Sequence, residues 1–128
     1  MNKKVLLCDD EVHILRTAEI RISHAGFDVR TARDGQEAWE SILADRPDVV
    51  VTDLQMPGVD GLELLRRIRA NAATADLPVV MLTAKSFELP HEEMAKEWGI
   101  SSILAKPFSP RELARLIDQI LEAAPAAG

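Results

Sequence analysis

A single cysteine, no glycine-rich loop and no long apolar run set the first limits on this chain. One cysteine closes no internal disulfide, and Cys8 is expected to face a neighbouring strand in a reducing cytoplasm, with a reactive thiol as the alternative. No apolar stretch approaches the roughly 20 residues of a membrane span, and the lysines of MNKK lead straight into a short strand-like run, so neither a membrane segment nor a cleavable signal is expected. Positive charge is in deficit. A net charge of -6 and a pI near 5.0 oppose direct binding of nucleic acid or anionic lipid. The one basic cluster, Arg66, Arg67 and Arg69, is expected on the solvated face of a helix. The first strand-to-helix turn reads DDEVH where a nucleotide site would place phosphate-cradling glycines, and its carboxylates would repel that ligand.

With 128 residues, 47% of them hydrophobic, there is room for one core and one domain. The pattern alternates strand and helix throughout. KVLLC is a short apolar run; Leu15, Ala18, Ile22 and Ala25 then recur at helical spacing until Gly26. FDVRTA alternates as a strand, and Asp34 with Glu37 three residues later predicts a capping box. Trp39 and Ile42 follow on that helix, facing the sheet. PDVVVTD is almost wholly apolar, as a strand covered on both faces should be. After PGVDG, Asp60 and Glu63 repeat the capping spacing ahead of Leu64, Leu65 and Ile68. LPVVML leads to Thr83. A crossover helix is expected from Pro90 through His91 to Trp98, and SSILA then reaches Lys106. Ser109, Pro110 and Glu112 open a final helix striped by Leu113, Leu116, Ile117, Ile120 and Leu121. The folded domain is expected over residues 1–122, with 123–128 a flexible tail or linker stub.

This βαβαβαβαβα order predicts an open parallel sheet with helices on both faces, and right-handed crossovers carry every strand C-terminus to one edge. Ligands bind at that edge, near the switch in strand order. Four chemically equipped ends meet there: Asp9 and Asp10, Asp53, Thr83 and Lys106. Mg²⁺ requires hard oxygen ligands in near-octahedral geometry, and three clustered aspartates repel one another without a cation. Asp10 and Asp53 suit direct ligation, Asp9 direct or water-mediated ligation, and a backbone carbonyl after the third strand adds another oxygen. Helix capping explains Asp9 and Asp10 alone, but not the third aspartate at the neighbouring strand end. A carboxylate fixed beside such an ion can attack phosphorus to form an acyl phosphate, with Lys106 offsetting charge on the phosphoryl oxygens and Thr83 donating a hydrogen bond to one of them.

From Lys4 to about Leu121 the chain resembles the receiver domain of two-component response regulators, on LLCDDE, DLQMPGVDG, MLTA and LAKPF. The resemblance implies a flavodoxin-like (CheY-like) doubly wound sheet of five parallel strands in the order 2-1-3-4-5. It further implies Asp53 as phosphoacceptor, Asp9 and Asp10 as the metal-binding acidic pair, Gln55 as a backbone-carbonyl metal ligand, Thr83 as hydroxyl switch and Lys106 as phosphate contact. Mg²⁺, with Mn²⁺ as a substitute, would be the cofactor. Gln55 and Lys85 would tune attack by water on the phospho-aspartate. The Lys106-Pro107 peptide, commonly cis in the family, is not fixed by local sequence.

The implied activity is a signalling switch: a phosphoryl group passes from a histidine kinase or histidine phosphotransfer protein to Asp53 and is then hydrolysed, so the domain catalyses its own phosphotransfer without being a conventional metabolic enzyme. The output would be a downstream protein or an effector domain. A homodimer through the fourth helix, fifth strand and fifth helix is a further implied contact. His13, His24 and His91 fall away from any common triad. Ile103 stands where the family usually has an aromatic switch residue, and the crossover after Thr83 is about one residue longer than usual, with Leu89-Pro90 at an unusual place. Both departures bear on output, with Trp98 as an anchor there. The rival within the family is a phosphorylation-independent docking module. A small phosphohydrolase using Asp53 would need a substrate-enclosing cap for which the chain has no insertion.

Overall fold

The computed structural model describes residues 2–56, 58–84 and 99–123. Its elements are β1 (Lys4–Cys8), α1 (Val12–His24), β2 (Asp28–Ala32), α2 (Gly35–Ala44), β3 (Val49–Asp53), α3 (Gly61–Ala70), β4 (Val79–Ala84), β5 (Ser102–Lys106) and a closing helix, Pro110–Ala123. The strands form one parallel sheet in the order β2-β1-β3-β4-β5, as expected. The expected crossover helix, with Lys85, Leu89, Pro90, His91 and Trp98, lies outside the described residues, as does the tail from 124 onward.

Alternation along the inner strands divides the apolar residues between two layers. Leu6, Val50 and Met81 point to one face, where Ile42 of α2 and Leu64, Leu65 and Ile68 of α3 cover them; Trp39 packs at the margin. Val5, Leu7, Val49 and Val51 point to the other, against Leu15, Ala18 and Ile22 of α1 and Leu113 and Ile117 of the closing helix. Every residue of β3 is buried, which is why that strand carries no polar alternation.

Local chemistry sets the helix ends. Asp34 Oδ1 accepts the Glu37 N–H at 2.8 Å, and Asp60 Oδ1 accepts the Glu63 N–H at 2.9 Å. The Glu63 carboxylate pairs with Arg66 at 2.7 Å and Arg67 at 3.0 Å. Ser109 caps the closing helix through a long 3.4 Å bond from the Glu112 N–H. Gly26, at φ +98°, terminates α1 in the left-handed region that side chains avoid. Ala25, the α1 C-cap, is exposed. One expectation needs correction. Arg69 does not lie on a solvated face: its guanidinium donates to the carbonyls of Ala75 (3.1 Å), Leu77 (2.7 Å) and Gly99 (2.9 Å), bracing the α3–β4 turn to the entrance of β5.

Candidate functional site

β1 and β3 are neighbours at the centre of the sheet, and the helices that follow them pass to opposite faces, opening a crevice at their C-terminal ends. Asp9 follows the last residue of β1, and Asp53 is the last residue of β3. Asp9 is 2% exposed and Asp53 5%, whereas Asp10 faces solvent. Carboxylate oxygens of the three aspartates lie within 4.8 Å of one another. Asp9 is fixed by its backbone, which donates to Ala32 O at 3.1 Å, and by Oδ1, which accepts the Glu11 N–H at 2.9 Å.

Lys106, ending β5, reaches across the mouth of this cluster. Its Nζ lies 2.8 Å from Asp9 Oδ2, 3.1 Å from Glu11 Oε1 and 3.2 Å from Asp53 Oδ2. Burial pushes the Asp53 carboxyl up, repulsion from Asp9 pushes it further, and Lys106 opposes both; the outcome is a pKa of about 6. Burial pulls Lys106 down, but its close contact with Asp9 and the charges of Asp9 and Asp53 outweigh that and hold the ammonium above its ordinary value. Among the described residues, two buried carboxylates are answered by one ammonium, which leaves negative charge uncompensated there. The donors are all hard oxygens, and the arrangement fits a divalent cation.

Thr83 is buried at the end of β4, one residue short of the register partner of Lys106. Ile103 pairs with Met81, and the two-residue strand period puts Thr83 on the same sheet face. Ile103 packs half-buried against the α2–α3 cluster. Gln55 follows β3 with its side chain exposed. Asp9, Asp10, Asp53 and Lys106 thus converge, Thr83 follows the register partner of Asp53 on the neighbouring strand, and Ile103 lies deeper along β5. His13 and His24 are exposed on α1. The Lys106-Pro107 peptide is cis. Cys8 is buried with its Sγ 3.3 Å from Asp34 O and 3.4 Å from Met56 Sδ; burial pushes the thiol up to about 12, so it is a packing group and not a nucleophile.

Sequence reasoning missed two contributors. Glu11 follows the acidic pair with no sequence pattern that gives it a role, yet it touches Lys106. Gly61 opens α3 so close to β3 that a Cβ there would collide with the Asp53 carbonyl oxygen and lie 2.9 Å from Leu54 Cα. The capping sequence D-G-L-E gave the helix start but not this approach.

The family model of the response regulator receiver domain matches residues 5–118. The chain is 37% identical over 121 residues to the alkaline phosphatase synthesis transcriptional regulatory protein PhoP of Bacillus subtilis, covering 94% of this chain and 49% of that protein. It is 35% identical to the phosphate regulon transcriptional regulatory protein PhoB of Pseudomonas aeruginosa, covering 94% and 52%. The chain spans about half the length of these curated relatives. A response regulator structure from Chloroflexus aurantiacus superposes with a TM-score of 0.86 at 34% identity, covering 95% of this chain and 99% of that one. The chain belongs to the response regulator receiver domains, the phosphorylation-dependent switches of two-component phosphorelays. Its Asp9, Asp10 and Asp53 cluster is typical of the phosphoacceptor site of that class. No described helix is long and apolar enough to cross a membrane.

Proposed function

We propose that Asp53 accepts the phosphoryl group and that Lys106, Asp9, Asp10 and Thr83 form the machinery around it. The observation that carries this reading is a buried carboxylate at a central strand end, 3.2 Å from an ammonium and with an oxygen within 4.8 Å of oxygens of two further carboxylates. Without a metal, burial and the Asp9 carboxylate push the Asp53 carboxyl up to about 6, so it is still ionised at neutral pH and available as a nucleophile. An Asp53 oxygen attacks phosphorus. The phosphorus–nitrogen bond to a phosphohistidine donor breaks, its electron pair goes to the ring nitrogen, and neutral imidazole leaves when the other nitrogen carries a proton.

Lys106 counters charge on the transferred group, and the Thr83 hydroxyl donates to a phosphoryl oxygen. Mg²⁺, or Mn²⁺ in its place, would be held by the side chains of Asp10 and Asp53, by Asp9 directly or through water, and by the Gln55 carbonyl. When bound, the cation supplies charge neutralisation and alignment of the phosphoryl oxygens. Hydrolysis reverses the bond change: water attacks phosphorus, the Asp53 oxygen departs as carboxylate, and inorganic phosphate is released. The exposed Gln55 side chain and Lys85 are placed by sequence to influence that water.

The donor is a histidine kinase or histidine phosphotransfer protein, in a cytoplasmic relay. The output passes to a downstream protein or an effector domain, with the Thr83 and Ile103 face of the sheet carrying the change. The domain occupies residues 1–122.

The test is intact mass after incubation with a small-molecule phosphodonor, with Mg²⁺ and with chelator, for wild type and Asp53→Ala. A metal-dependent gain of one phosphoryl group in wild type alone is expected. No gain in folded, Mg²⁺-bound wild type would refute the proposal and favour the docking module.

A further inference from the structure

An ammonium has three N–H donors, and Lys106 faces three carboxylate oxygens: Asp9 Oδ2 at 2.8 Å, Glu11 Oε1 at 3.1 Å and Asp53 Oδ2 at 3.2 Å. Of these three ion contacts, the one to Glu11 has hydrogen-bond geometry, whereas Asp9 Oδ2, though 2.8 Å away, has no hydrogen-bond partner among the described residues. A phosphoryl oxygen that takes a donor from Lys106 therefore competes first with the Glu11 hydrogen bond. Asp9 cannot leave readily, because its side chain is 3% exposed and its other oxygen is tied to the Glu11 backbone. Asp53, at 7%, supplies the attacking oxygen and stays in place. Glu11 is 58% exposed, and its carboxylate can swing into water at little cost. It also stands outside the group of carboxylates that share the candidate metal position, Asp9, Asp10 and Asp53, so its orientation serves the lysine and not the cation.

We infer that Glu11 is an internal competitor for Lys106, holding the ammonium in the resting domain and giving way to the phosphoryl group. This rests on the reading of Asp53 as phosphoacceptor. Glu11 acts through Lys106 and is a positioning residue. Its contact lowers the affinity of the site for a phosphoryl oxyanion, and its removal should increase that affinity, whereas loss of a purely structural residue weakens binding. The contact is exposed on one side and weak, so the expected gain is about two- to fivefold.

Beryllofluoride provides an equilibrium readout, since an Asp53 oxygen replaces water on beryllium to give a tetrahedral mimic of the acyl phosphate. Its apparent affinity is measured at saturating Mg²⁺ and fixed ionic strength for wild type, Glu11→Gln, Glu11→Asp and Asp53→Ala. Glu11→Gln removes the charge; Glu11→Asp keeps it on a side chain one methylene too short to hold the contact. Tighter binding by both variants is the expected result. Unchanged or weaker binding by Glu11→Gln overturns the inference, and a gain confined to Glu11→Gln overturns it in favour of general charge repulsion. Failure of wild type to bind beryllofluoride, or binding retained by Asp53→Ala, would instead strike the phosphoacceptor assignment.

Discussion

Asp53→Asn should make the metal-free protein more stable at neutral pH. The wild-type carboxylate is 5% exposed and sits beside buried Asp9, with Lys106, among the described residues, the cation in contact with both. Moving a carboxyl from 3.8 to about 6 costs up to about 3 kcal/mol of folding free energy once the group is ionised. The sign follows from proton binding. Between roughly pH 4 and 6 the folded state holds more protons on Asp53 than the unfolded state, so stability falls as pH rises through that window. The penalty is complete above about 6 and absent below about 4. Asparagine keeps the shape and removes the charge, so the gain should be about 1–3 kcal/mol at pH 7.5 and should shrink towards zero as the pH approaches 4. Urea unfolding followed by circular dichroism, in chelator, at pH 7.5, 5 and 4 measures it directly. Saturating Mg²⁺ should then narrow the gap, since the cation stabilises the wild type more than the variant. A variant less stable than wild type at pH 7.5 in chelator, or a gain independent of pH, would refute the electrostatic account of this site.

Other perturbations separate the scaffold from the chemistry. Gly61→Ala forces a methyl against the Asp53 carbonyl and Leu54 Cα, and should cost more than about 2 kcal/mol in urea unfolding while weakening Mg²⁺ binding measured by calorimetry; wild-type values for both would show that α3 can retreat freely. Arg69→Ala leaves the carbonyls of Ala75, Leu77 and Gly99 without this donor and should cost about 1–3 kcal/mol, with faster amide exchange in the α3–β4 turn and at the start of β5; exchange unchanged there would remove the bracing role. Cys8 should react with a disulfide reagent at least about a hundredfold more slowly in the folded protein than in urea, because thiolate is scarce when the thiol is pushed up to about 12; comparable rates would place the thiol in solvent.

The parts of this molecule that were legible in the chain are those governed by local chemistry or by a period. β3 could be read as a central strand because burial on both faces leaves no polar residue from Val49 to Val51, and α2 and α3 because Asp34 and Asp60 cap within three residues of themselves. The convergence of Asp9, Asp53 and Lys106 was also accessible, since parallel strands with right-handed crossovers have only one edge on which to end. What escaped was every partnership chosen by the third dimension. Arg69 looked like one of three helix-surface arginines until its carbonyl acceptors, thirty positions away in the case of Gly99, were in view. Gly61 read as a turn residue because no periodicity encodes how near a helix start lies to the strand before it. Glu11 is the sharpest case. Its neighbours in sequence are the acidic pair, but its partner is a lysine 95 residues further along, and no local pattern announces that pairing. A charged residue's type is written locally, whereas the sign of its effect depends on which counter-charge the fold delivers to it.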